Sequence, residues 1–308
     1  MKSMRLGKTG VEVSALCLGV MYFGNRIGKE MSYHLMDRYV DAGGRFFDTA
    51  NIYSFQGGES ETVLGQWMRD RRNRSQLFIA SKVGFAYPDV EFGLRANQIQ
   101  TECDKSLQRL QTDVIDLYYA HVDDRDTPLE ETMEAFERLI QAGKVRYIGA
   151  SNFMAWRLEK ARMVSRVNGW SEYCCIQQRY SYFRPKPGAT FDPQVCVNGD
   201  LLDYVQSEGI GLLAYSPLLH GACTRANRDF PEEYRGPDTD ARLATLCEVA
   251  QEMGGTANQI LYAWMMQSDP PVIPLMAAST DEQIKENLGA LEMNLSDAQM
   301  SRLNNASG

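Results

Sequence analysis

The sequence predicts an α/β protein of the (β/α)8 class, a TIM barrel. Two observations predict it: eight short apolar runs alternate with segments of helical periodicity, and no linker-like stretch interrupts the 308 residues. Barrels of this kind commonly run to about 250 residues as a single domain, so residues 1–308 are assigned to one barrel domain. A closed barrel suits this length better than an open doubly wound sheet.

The chain opens with residues 4–6 and 11–13 flanking Lys8-Thr9-Gly10, which reads as a small β-hairpin ahead of the main fold. The first barrel strand is expected at residues 15–19. A helix follows over residues 32–42, where Leu35, Met36, Tyr39 and Val40 share one face. Residues 45–48 repeat the strand. Residues 60–68 repeat the helix, with Val63, Leu64 and Trp67 at helical spacing. Further strands are expected at 77–83, 114–120, 145–150, 174–177, 210–214 and 272–275. Helices are expected at about 95–110, 127–142, 153–166, 198–208, 241–267 and 281–290, with an extra C-terminal helix at 296–304. Two long irregular segments, 182–198 and 218–240, each follow a strand end and are read as functional loops.

Composition narrows the function classes. A net charge of -8 and a pI near 5.1 argue against nucleic acid or an anionic membrane as partner, since both require clustered Lys and Arg. No apolar run approaches the length of a bilayer span, and the start of the chain lacks an apolar signal core, so a cytoplasmic protein is expected. The seven cysteines are odd in number and lie mostly in expected strands or helices, which reads as reduced core thiols. His34, His121 and His220 have no short ligand spacing, and no metal site is expected. Gly209 to Ala214 fits a dinucleotide-binding string, but it follows a helix and enters a strand, the reverse of the order a Rossmann turn needs.

The chemistry gathers at the strand ends. The apolar runs finish on Asp48, Lys82, His121, Ser151-Asn152, Gln177 and Tyr215-Ser216, and more loosely on Ser279. A barrel brings these ends to one face, and so many convergent polar groups need partners or a ligand to offset their desolvation. Tyr53 lies five residues after Asp48. Its phenol has an ordinary pKa of about 10, and the Lys82 ammonium is expected to lower it. Asp48 is expected to hold Lys82 charged, and His121 to orient a carbonyl oxygen. The set describes proton transfer to a carbonyl without a metal.

These residues resemble the aldo-keto reductase family, nearest the bacterial members and the potassium-channel β-subunit branch. The motifs are FDTANIY followed by GGESETVLG, then IASKVG, DLYYAH, GKVRYIGASNF, the pair Gln177 and Tyr180, LLAYSPL and STDEQIKENLGALE. They cover nearly the whole chain in the family's order. The resemblance implies an NADP(H)-dependent oxidoreductase that reduces an aldehyde or ketone, with Tyr53 as general acid, Lys82 and Asp48 tuning it, and His121 orienting the carbonyl. It also implies a cofactor site. Ser151, Asn152 and Gln177 would bond the carboxamide, Tyr215 would stack on the nicotinamide, and Gly19 and Met21 would line the approach. Ser216 and Leu218 would lie along the pyrophosphate, with Ser279, Gln283, Glu286 and Asn287 near the adenosine.

Three departures from the family pattern matter. Gln283 stands where an Arg often meets the 2′-phosphate, so NADP(H) is the first choice and NAD(H) is kept open. The usual Lys after the seventh strand is missing, and Arg225 is expected to replace it at the pyrophosphate. The chain also stops soon after its last helix, from which a relatively open pocket is expected, with substrate contacts from Tyr22, Phe85 and Tyr87 beside Tyr53 and His121. The competing function is a cofactor-binding regulatory subunit with little turnover. Nothing in the sequence speaks to oligomeric state or to the particular carbonyl or alcohol substrate.

Overall fold

The computed structural model describes the chain except Phe55 and residues 225–227. Strands β1 (Ser3–Arg5) and β2 (Glu12–Ser14) form the expected antiparallel hairpin, with Met4 opposite Val13. Eight parallel strands then close a barrel: β3 (Cys17–Gly19), β4 (Phe46–Asp48), β5 (Phe78–Val83), β6 (Ile115–Ala120), β7 (Val145–Ser151), β8 (Cys175–Arg179), β9 (Gly211–Tyr215) and β10 (Val272–Met276). They neighbour one another in chain order, and Leu275 of β10 pairs with Cys17 of β3 to complete the ring. Helices α1 (Lys29–Asp41), α2 (Glu59–Arg71), α3 (Ala96–Leu110), α4 (Leu129–Gln141), α5 (Ala155–Asn168) and α6 (Gly199–Glu208) follow successive strands.

The barrel encloses a small core of its own. Phe46, Ala80, Leu117, Tyr119, Cys175, Leu213 and Ile273 point inward together with Leu6 and Val13, so the opening hairpin stoppers the N-terminal end of the barrel. A larger apolar layer, which includes Leu35, Tyr39, Trp67, Phe136 and Leu261, packs helices on the outside of the strands. This double layering follows from strand alternation, which sends successive side chains to opposite faces. With its other end plugged, the barrel has one open mouth, at the C-terminal ends of the strands.

The segment expected as one helix over 241–267 is two: α7 (Pro237–Met253) and α8 (Ala257–Gln267). Gly254 takes a left-handed conformation at the end of α7. Thr256 and Gln259 then form a reciprocal capping box at the start of α8, which satisfies donors a continuous helix would not expose. Helices α9 (Asp281–Gly289) and α10 (Asp297–Asn305) close the chain as expected. The Gly209 to Ala214 string does run from the end of α6 into β9.

All seven cysteines are free. Three of them, Cys17, Cys103 and Cys175, are buried, so the expectation of core thiols holds for those and not for the exposed Cys247.

Helix α2 approaches α3 closely because Gly65 has no side chain. A Cβ there would lie 2.3 Å from the Arg109 carbonyl oxygen and 2.8 Å from the Leu110 Cα, both backbone atoms that cannot swing aside. Gly65→Ala is therefore expected to destabilise the fold despite the better helix propensity of alanine, by about 1–3 kcal/mol. Urea denaturation would show it; an unchanged or raised midpoint would mean that the two helices can separate at little cost.

Candidate active site

Each central group is placed by a strand end. Asp48 closes β4, Lys82 is the penultimate residue of β5, and His121 follows β6 directly. Tyr53 sits on the loop between β4 and α2, whose backbone is tied back to β5 by bonds from Thr49 N to Ala80 O (3.0 Å) and Asn51 N to Lys82 O (3.2 Å). Asn51 also donates its side chain to Glu102 of α3 at 2.8 Å, and the Tyr87 hydroxyl donates to the same carboxylate oxygen at 2.5 Å. The loop that carries Tyr53 is thereby fixed from both the barrel and the surrounding helices.

The fully buried Lys82 ammonium is the hub. It donates to the Asp48 carboxylate, to Thr49 O at 2.7 Å and to the Tyr53 hydroxyl oxygen at 3.0 Å. Its three N–H groups are thus all used. Asp48, 1% exposed, accepts from Gln177 Nε2 at 2.8 Å through its other oxygen. The His121 ring stands edge-on to the Tyr53 ring with centroids 5.9 Å apart, and the Phe85 ring meets it edge to face at 4.7 Å. His121 Nδ1 is buried and has no hydrogen-bond partner among the described residues.

The electrostatics differ from expectation in one respect. Burial pushes the Tyr53 phenol above its ordinary value, and Lys82 offsets only part of that rise. Without a ligand the proton stays on Tyr53, because removing water costs the phenolate more than one ammonium restores. Burial likewise pushes the Asp48 carboxyl up against the pull of Lys82. Lys82 is raised: burial disfavours its charge, but Asp48 and Tyr53 together outweigh that. Burial first, and then the Lys82 charge, hold His121 well below its ordinary value, so the imidazole is neutral at pH 7.

A second cluster adjoins the first. Asn152, in the left-handed region at φ 61°, donates its amide to His121 O (2.9 Å) and Ser151 Oγ (3.2 Å). Its oxygen accepts from the Tyr215 hydroxyl (2.8 Å) and Val195 N (3.2 Å). Both amide hydrogens and both lone pairs are engaged. Asn152 therefore locks Tyr215 and the His121 backbone together, and only its long bond to Ser151 is readily exchanged for a ligand. Gln177, with Nε2 committed to Asp48, retains its amide oxygen as an acceptor.

The remaining sequence candidates lie at or after the ends of β3, β9 and β10, or on α9. Met21 is 46% exposed, and Tyr22 carries Arg26 over its ring at 4.9 Å. Gly19 pairs in register with Asp48. Ser216 has φ 54°, and the residue after it, Pro217, accepts from Ser181 Oγ at 2.6 Å. Leu218 is partly buried against the core. Gln283 accepts from Ser279 N (2.8 Å) and Ser279 Oγ (2.9 Å), Glu286 accepts from Thr256 Oγ1 (2.7 Å) and Asn258 Nδ2 (3.2 Å), and Asn287 donates to Ala277 O (3.0 Å). Arg225 lies outside the described residues.

Sequence reasoning missed Thr49 O, Glu102 and Arg179, which terminates β8 at the mouth. Thr49 acts through its backbone and leaves no residue signal. Glu102 sits on the buried face of α3 with Ile99, Cys103 and Ser106, where a charged residue carries no sequence sign of its burial. Among the described residues, no group of three or more His, Cys, Asp or Glu side chains is placed to hold a metal, and no helix is long and apolar enough to cross a membrane.

Comparison with known proteins gives one consistent result. The model of the Aldo/keto reductase family matches residues 15–307. The chain is 35% identical to norsolorinic acid reductase stcV of Emericella nidulans, over 94% of this chain and 77% of that protein. It is 32% identical to the uncharacterized oxidoreductase YrpG of Bacillus subtilis, over 97% and 94% of the two chains. Among solved structures, the thermostable aldo-keto reductase Tm1743, crystallised with the inhibitor epalrestat, matches with a TM-score of 0.79 and 32% identity over 99% of each chain.

Proposed function

The chain belongs to the aldo/keto reductase family, and from that premise we propose that it is an NADP(H)-dependent oxidoreductase interconverting an aldehyde or ketone and the alcohol. The observation that carries this reading is the Lys82 ammonium bonded at once to Asp48, Thr49 O and the Tyr53 hydroxyl, beside a neutral His121. The donor set fits a nicotinamide cofactor. Ser151 Oγ can donate and the Gln177 amide oxygen can accept, which together suit a carboxamide, and the Tyr215 ring is anchored by Asn152 across the mouth. When bound, the cofactor supplies the hydride that adds to the carbonyl carbon.

Tyr53 gives its proton to the carbonyl oxygen, completing the alcohol, and the phenolate left behind is stabilised by Lys82 at 3.0 Å. Asp48 keeps Lys82 charged through the cycle and does not itself exchange a proton with substrate. His121, a neutral imidazole beside the Tyr53 ring, donates an N–H to the carbonyl oxygen and aims it at Tyr53. Phe85 and Tyr22 supply apolar rim contacts for substrate, and Tyr87 lies further out, tied to Glu102. At the adenosine end, Ser279, Gln283, Glu286 and Asn287 offer neutral and acidic groups, so discrimination between NADP(H) and NAD(H) is modest.

The test is turnover of a panel of aldehydes and ketones followed by NADPH absorbance, with norsolorinic acid included because of the Emericella relative's name. Turnover that Tyr53→Phe removes supports the reading. Tight cofactor binding with no turnover on any carbonyl would favour a regulatory subunit instead.

The pH behaviour of the cofactor-free protein follows from the shifts above. Reduction needs the protonated phenol, and Tyr53 is raised, so its loss comes only as pH rises past about 10. An ultraviolet difference titration of wild type against Tyr53→Phe should show no Tyr53 ionisation below that pH. A tyrosinate signal near pH 8, absent from the variant, would mean that Lys82 outweighs burial at the phenol.

A further inference from the structure

Arg179 differs from every other buried cation of the described residues. It is 8% exposed. Lys82 is paired with Asp48, Arg157 with Asp123 at 3.0 Å, Arg162 with Glu172 at 2.9 Å and Arg242 with Asp238 at 3.2 Å. Arg179 has no carboxylate within 4.0 Å among the described residues, and the four undescribed positions, a Phe, an Arg, an Ala and an Asn, contain none. Its partners are neutral. Nε donates to the Tyr234 hydroxyl at 3.2 Å and Nη1 to Gln194 Oε1 at 2.9 Å, while the guanidinium lies 4.6 Å from the Phe191 ring centroid. Nη2 bonds to no described residue, so the fork retains donors of the kind that take an oxyanion two at a time.

Its direction follows from the strand. Gln177 turns into the barrel to meet Asp48, and Gln178 turns outward to donate to Phe153 O at 2.7 Å. Arg179 turns inward again, about 7 Å further toward the mouth, in register with Tyr215 of β9. Its charge is felt at Cys196 and Tyr234 beside it and at two further groups, His220 and Tyr215. Burial first and then Arg179 depress His220, and Arg179 opposes the burial that raises Tyr215. A buried charge is ordinarily neutralised by a partner, and here the protein provides aromatic faces and neutral acceptors instead.

We propose that Arg179 is an oxyanion-binding site at the barrel mouth, taking a phosphate or carboxylate group carried by a bound ligand. The guanidinium also bridges the two long loops, through Gln194 and Phe191 on one and Tyr234 on the other. An anion seated there would tie both loops to β8. The inference does not depend on turnover, because anion binding can be read without it.

The experiment is calorimetric titration of the cofactor-free protein with inorganic pyrophosphate, NADPH, NADH and 4-carboxybenzoate, for wild type and Arg179→Met, which keeps an apolar filling between the Phe191 and Tyr234 rings. Loss of the charge-assisted bonds is expected to weaken at least one of these by about tenfold to a hundredfold. Pyrophosphate and both dinucleotides weakened together assign the site to the cofactor's phosphates. Weakening of 4-carboxybenzoate alone, with a matching fall in kcat/KM for 4-carboxybenzaldehyde but not 4-methylbenzaldehyde, assigns it to a substrate carboxylate. No change beyond about twofold in any arm overturns the proposal and leaves Arg179 a clip between loops. Should Arg179→Met not fold, Arg179→Lys keeps the charge and loses the fork. Affinities for all four ligands equal to wild type and insensitive to ionic strength would then overturn it.

Discussion

Tyr53→Phe is expected to lower kcat by about a hundredfold to ten-thousandfold, while the cofactor dissociation constant stays within about twofold of wild type. The substitution removes one oxygen and little else. The ring keeps its edge contact with His121, and Lys82 retains Asp48 and Thr49 O when the 3.0 Å bond to the hydroxyl is lost. Neither Ser151 nor Gln177 hydrogen-bonds to Tyr53, so the groups proposed to hold the cofactor keep their partners. Steady-state kinetics together with a fluorescence titration of NADPH separates the two effects. Retention of more than a tenth of the activity would mean that another group, or water, delivers the proton.

Lys82→Met is expected to damage both activity and stability. Methionine fills a similar volume but leaves Asp48, 1% exposed, with Gln177 as its sole side-chain partner and strips Thr49 O of its donor. Removing one member of a buried ion pair costs about 3–5 kcal/mol, which a denaturant midpoint would register. Asp48→Asn should be milder in both respects. The amide still accepts from Lys82, the buried cation loses a counter-charge but not its contacts, and some activity should persist with an altered pH profile. If Asp48→Asn proved more damaging to kcat than Tyr53→Phe, Asp48 and not Tyr53 would be the group that exchanges the proton.

The barrel was legible because most of its strands are written twice over, as an apolar run and as the polar residue that ends it. Phe46 to Asp48 and Phe78 to Val83 are found by either signal, and the alternation with helices fixes their parallel order. The division of α7 from α8 was written too, as a Gly-Gly-Thr run followed by Gln259, but apolar residues close on either side of it, Val249 and Ala250 before and Ile260 and Leu261 after, masked the stop. Side-chain pairing within the site was less legible. That Gln177 holds Asp48, or that Asn152 spends all of its bonding on Tyr215, Val195, His121 and Ser151, depends on the stagger between strands far apart in sequence. The phenol's pKa was misjudged for a related reason. The neighbouring ammonium can be read from the sequence, but the depth of burial that opposes it cannot.

The seam between β3 and β10 has a consequence for how the protein is made. Leu275 must find Cys17 before the ring exists, so a ribosome has emitted nearly the whole chain before the last ladder can form. Until then the nascent sheet has two open flanks, Cys17–Gly19 and Gly211–Tyr215, each a row of unpaired backbone groups able to recruit a strand from another chain. A chain terminated before Val272 would keep both flanks permanently, and its fate would be aggregation rather than a smaller folded barrel.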